Sequence, residues 1–132
     1  MRAVIDRDQV TTEFFAYVAS YDLTSPKFQL KVDHSLRVAS LSDRIADSLG
    51  MQGQAKELAW LLGMLHDIGR FEQLRRYGTF RDGLSVDHAA LGADLLFKEG
   101  LLQRFITADA AAQEYQILEK AIRLHNAYLL PE

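Results

Sequence analysis

The sequence predicts an all-α protein, a bundle of about five to six helices, on three observations. Apolar residues recur at intervals of three and four along most of the chain, the period of a helix that buries one face. The only prolines, Pro26 and Pro131, leave long stretches free to be helical. No segment alternates apolar and polar residues convincingly enough to be a strand.

The elements follow in order. Val10, Phe14, Tyr17, Val18 and Tyr21 place a first helix near residues 6 to 21, ahead of the break at Pro26. A longer helix runs from Lys27 to Leu49, with His34, Val38, Leu41, Ile45 and Leu49 as its apolar stripe and Gly50 as its end. Residues 53 to 67 are rich in helix formers; Leu58, Leu61, Leu62 and Leu65 form a face that His66 joins, and Gly69 supplies a stop. Arg70 to Leu84 mixes glycines with charged and aromatic residues and reads mostly as a connecting loop. Ser85 is placed to cap a helix over about 86 to 99, which carries His88, Leu91, Gly92, Leu95 and Leu96 on one side and closes at Gly100. Asp109 is a candidate cap for the last segment, where Tyr115, Leu118, Ile122, His125 and Leu129 form a final stripe.

At 132 residues the chain suits a single domain over 1–132. Its 48% apolar and 25% charged content is that of a soluble globular protein. A net charge of −3 provides no basic field for a phosphate backbone, so nucleic acid is not an expected partner. Cysteine is absent, which excludes disulfides, thiolate metal sites and a cysteine nucleophile, so any metal must use nitrogen and oxygen. Charges at Arg2, Asp6, Arg7 and Asp8 interrupt the N-terminus, and no later run approaches membrane-spanning length. The expected location is cytoplasmic, with no membrane partner.

Chemistry concentrates in the histidines. The chain has four, His34, His66, His88 and His125, each on or beside the apolar stripe of a different predicted helix. A single histidine on such a face is usually a hydrogen-bonded core residue, but four converging in one interior need something that satisfies their nitrogens. A divalent metal does so, with oxygen ligands to balance its charge. Asp67 offers such an oxygen beside His66. Adjacent helical residues point about 100° apart, so the pair can share an ion only at a helix end, where Gly69 places it.

His34, then His66-Asp67 inside LLGMLHDIGRF, then His88 in VDHAALGADLL, resemble in order and spacing the HD superfamily of metal-dependent phosphohydrolases. The similarity covers roughly residues 28–132. It implies an HD-type helical bundle in which His34, His66 and Asp67 hold one metal, while His88 and His125 match the additional histidines of two-metal subgroups. In those subgroups a carboxylate such as Asp67 bridges the ions and a metal-activated water attacks the phosphoester, giving His66 and Asp67 catalytic roles. The implied cofactor is one or two divalent ions, iron or manganese by analogy, with zinc, nickel, cobalt or magnesium also accepted by such ligands. The implied substrate is a small phosphomonoester or phosphodiester, nucleotide-like by family resemblance.

The resemblance has one departure. Family members carry a further aspartate on a helix beyond a segment like IRLHNAYLLPE, and the sequence stops at Glu132. A chain lacking that part would bind its first metal more weakly, show impaired activity, and expose an apolar groove that favours a homodimer. This departure supports an alternative reading, a catalytically impaired HD-fold module for ligand sensing or protein assembly. Of the basic residues after the pair, Arg70, Arg75, Arg76 and Arg81, Arg70 is the candidate for substrate phosphate, with Gln73 and Tyr77 behind it. Asp87 suits the positive end of a helix, Asp33 a solvated position, and Trp60 with Phe14, Phe15, Tyr17 and Tyr21 the core.

Overall fold

The computed structural model describes residues 4–107 and 112–126. It is an all-helical bundle: α1 (Arg7–Val18), α2 (Pro26–Ser48), α3 (Gly53–Leu65), α4 (Gly69–Tyr77), α5 (His88–Ala93), α6 (Leu102–Phe105) and α7 (Gln113–Leu124). A 3₁₀ turn occupies Asp82–Leu84, and a π turn, Asp94–Lys98, continues α5. Among the described residues the only strand-like pairing is the isolated bridge between Val4 and Thr107, and no helix is long and apolar enough to cross a membrane. Asp109 and Leu129 lie outside the described residues.

Side-chain size decides which face of α2 is buried. Phe28, Val32, Ser35, Ala39 and Ala46 face inward, whereas Leu41, Ile45 and Leu49 of the expected stripe stand 51%, 58% and 71% exposed. The small residues let α3 approach closely: a Cβ on Gly63 would lie 2.7 Å from the Ala39 Cα. Hydropathy alone favours the leucines, but a close helix crossing selects alanine and serine.

The segment after Gly69 corrects the expected loop. Residues 69–77 form α4, with Phe71, Glu72, Gln73 and Leu74 buried and Gly78 closing it at φ 69°. Phe71 stacks on Phe28 with ring centroids 6.4 Å apart and meets Phe14 edge-on at 6.2 Å. Glu72 is buried too, accepting hydrogen bonds from the Tyr21 hydroxyl at 2.7 Å and from the guanidinium groups of Arg75 and Arg76. These i+3 and i+4 pairs stabilise a helix that its glycines and mixed polarity hid. Arg75, foremost among its partners, together with Tyr21 and Arg76, outweighs burial and lowers the Glu72 carboxyl from 4.5 to about 2.

Two cap assignments also change. Gly69 opens α4 rather than merely stopping α3, and it is required by contact: a Cβ there would lie 2.6 Å from Gly92 N and closer still to His88 O. Ser85 does not cap α5; Asp87 does, accepting from Ala89 N, while the Ser85 hydroxyl donates to Arg81 O.

Gly69→Ala should push α4 off α5 and lower unfolding free energy by roughly 1–3 kcal/mol in chemical denaturation. Glu72 has a depressed folded pKa, so its contribution is present above about 4.5 and fades as pH falls toward about 2. Glu72→Gln should therefore flatten the acid limb of a stability-versus-pH curve in that window.

Candidate metal centre

The five residues singled out as ligands meet at one point. His34 comes from the middle of α2, His66 and Asp67 from the joint between α3 and α4, His88 from the first residue of α5, and His125 from the cap position of α7. At the joint the chain leaves helical hydrogen bonding, with Arg70 N donating to Asp67 O at 2.9 Å, and this opening turns both members of the His-Asp pair inward.

Asp67 is the centre, 5% exposed. Its Oδ2 lies 3.4 Å from His34 Nε2 and 3.7 Å from His66 Nε2. Its Oδ1 lies 3.3 Å from His88 Nε2 and 3.4 Å from His125 Nε2. Each carboxylate oxygen thus faces one pair of imidazoles, and within the pairs the Nε2 atoms are 3.2 Å (His34, His66) and 3.0 Å (His88, His125) apart. In each of the two groups the ligand atoms all lie within 4.8 Å of one another.

The tautomers show what this arrangement accommodates. His66 Nδ1 donates to Gly63 O and His125 Nδ1 to Ile122 O, both at 2.7 Å, and His88 Nδ1 donates to Asp82 Oδ2 at 2.8 Å. Carbonyl and carboxylate oxygens only accept, so each proton sits on Nδ1 and a neutral ring turns a bare Nε2 lone pair toward Asp67. Where Nε2 lone pairs face one another and Asp67 across about 3 Å, a shared cation, a proton or a metal ion, reconciles them. Imidazole nitrogen with carboxylate oxygen is a donor set for a divalent transition ion, so the cluster fits a divalent-metal site.

The electrostatics follow from burial and contact. Burial lowers the pKa of His66 and His34, keeping both rings in the neutral, ligating form. Burial opposes ionisation of Asp67, yet its contacts with the His125 and His88 rings and the nearness of His66 and Lys31 hold its carboxyl well below the usual range. His125 moves the other way: burial opposes its charge, but Asp67 and the Ile122 carbonyl raise its pKa.

The remaining candidates are placed as follows. Arg70 Nη1 donates to Phe80 O at 2.7 Å, Gln73 Oε1 at 2.8 Å and Asp82 Oδ1 at 3.0 Å, and its buried Nε has no hydrogen-bond partner among the described residues. Arg75 and Arg76 are taken up by Glu72, and Asp33 is exposed and accepts from Gln29.

Two residues of the site escaped sequence reasoning. Lys31, one turn before His34, holds its Nζ 3.6 Å from Asp67 Oδ2 and over the Phe80 ring. Its i−3 spacing from His34 was the available signal. Asp82, in the loop before α5, accepts from His88, and nothing local in FRDGLSVDH distinguishes it from a surface turn residue. Because Lys31 places a positive charge beside the oxygen that a metal would share, Lys31→Met should tighten binding of divalent ions by up to about tenfold at low salt, measured by calorimetry.

Among known proteins, a family model described as HD domain matches residues 32–130, well over half of the chain and the span that carries every residue of the cluster. Comparison with curated proteins and with solved structures returned no match. HD domains are metal-dependent phosphohydrolases as a family. Motif order, helical architecture and family match agree, and the chain belongs to the HD domain family.

Proposed function

We propose that the protein is a metal-dependent phosphohydrolase for a small phosphomonoester or phosphodiester of nucleotide-like character, with His34, His66, Asp67, His88 and His125 as its metal ligands. The observation that carries this reading is that Asp67 presents one oxygen to each of two histidine pairs, which suits a carboxylate shared between two ions. Bound divalent ions supply Lewis acidity, which lowers the pKa of water toward neutrality and offsets charge on phosphoryl oxygens.

The chain's own groups do the rest. Backbone carbonyls fix the His66 and His125 rings, so little reorganisation accompanies ligation. Asp67, kept ionised, supplies part of the anionic charge that two cations require. The His34 side chain is 35% exposed, against 23% for His125, 15% for His66 and 3% for His88, which supports an approach of substrate over His34. Lys31 stands on that side, where its ammonium attracts an incoming phosphoryl group. The nucleotide-like character of the substrate rests on the family resemblance. Iron or manganese is the preferred metal by the same analogy.

Elemental analysis of the purified chain, prepared without chelator or tag histidines, should find near-stoichiometric iron or manganese. His34→Ala and His66→Ala should lose that metal while keeping the helical circular-dichroism signal. Hydrolysis of nucleoside monophosphates or a nitrophenyl phosphodiester should fall with the metal. A parent chain that holds no metal after iron and manganese are supplied would instead support the non-catalytic module.

A further inference from the structure

The four imidazoles are not held in the same way. His66 and His125 stand at the C-terminal ends of α3 and α7, where the carbonyl three residues earlier, Gly63 O or Ile122 O, is there to accept an Nδ1 proton. His88 is the first residue of α5 and has no helical turn behind it. At 3% exposure its Nδ1 cannot turn to solvent either. It needs an acceptor from elsewhere in the chain, and the loop between α4 and α5 delivers one, Asp82, at 2.8 Å.

Asp82 does more than meet one ring. Its carboxylate also accepts from His88 N at 3.3 Å, Gln73 Nε2 at 2.9 Å, Arg70 Nη1 at 3.0 Å and Asn126 Nδ2 at 3.0 Å. Arg70 and Gln73 belong to α4, directly after the His-Asp pair; His88 opens α5; Asn126 follows His125 at the end of α7. One carboxylate therefore ties together the three places from which Asp67, His88 and His125 reach the centre. Every partner is a donor, a set that suits the ionised form.

We infer that Asp82 is the positioning residue of the His88–His125 half of the centre: it fixes His88 as the Nδ1–H tautomer, so that the Nε2 lone pair faces Asp67 and is free for a metal. The inference rests on the metal reading for its purpose but not for its geometry. Without the Asp82 carboxylate the buried Nδ1 loses its acceptor, and the ring's better option is to carry its proton on Nε2 and donate to Asp67 Oδ1, 3.3 Å away. That proton would occupy the position of the ligating lone pair. A carboxylate on Nδ1 also increases the donor strength of Nε2, an effect that a neutral amide provides only in part.

The test pairs two readouts on the full chain. Imidazole ¹⁵N NMR of the metal-free protein at mildly alkaline pH reads the His88 tautomer, and titration with cobalt(II) alone, followed by visible absorption and calorimetry, reads ligation. The native chain should show Nδ1–H at His88. Asp82→Ala should shift it to Nε2–H and weaken one class of cobalt site by about 10–100-fold while leaving the His34–His66 class in place. Asp82→Asn, which keeps an acceptor and the shape, should restore the tautomer and recover part of the affinity. Ser85→Ala, which loosens the same loop without touching His88, should leave both readouts native. An Nδ1–H tautomer that persists in Asp82→Ala overturns the inference, as does an equal loss in both cobalt classes that Ser85→Ala reproduces. A native chain that takes up no cobalt sinks the metal reading, and the tautomer series still decides the role of Asp82.

Discussion

A buried, ionised Asp67 is the constraint around which this bundle is arranged. Taking a carboxylate out of water costs several kcal/mol unless opposite charge or hydrogen-bond donors replace the lost solvation. Asp67 is faced by the Lys31 ammonium and by four imidazoles placed to share a cation with it, drawn from α2, the α3–α4 joint, α5 and the end of α7. These elements are distant in sequence, so convergence at Asp67 demands close helix contacts. They are present where Gly63 meets Ala39 and where Gly69 meets Gly92 and the His88 carbonyl. The glycines set the spacing and the carboxylate gives that spacing a use.

Much of this was legible in the sequence, for particular reasons. Histidines are few, and their place on or beside apolar stripes distinguishes them from surface residues. The His-Asp pair is flanked by leucines and a glycine that together describe a helix end in the core. The helical periods of α1, α3 and α7 were readable because Val10 with Phe14, Leu61 with Leu65, and Leu118 with Ile122 are packed inward.

What was not legible depends on contacts rather than on pattern. α4 was hidden because half of its buried face is polar: Glu72 and Gln73 are inside only because Tyr21, Arg75 and Arg76 satisfy the first and the Asp82 loop satisfies the second. The stripe on α2 misled for the opposite reason, since the residues that face α3 are small and score weakly as apolar. Asp82 and Lys31 are ordinary charged residues until the fold brings them to His88 and Asp67. Arg70, the candidate for substrate phosphate, is bonded to the loop that carries Asp82, a contact that its sequence position does not announce.

The helix ends from which the histidines project also polarise the centre. α3 and α7 terminate at His66 and His125, so their carbonyl ends face inward, each carrying roughly half an elementary negative charge. α4 and α5 begin at Gly69 and His88, and their amide ends carry the opposite sign. The backbone therefore contributes partial charges of both signs at the helix ends that carry the ligands, and this contribution persists whichever side chains are replaced.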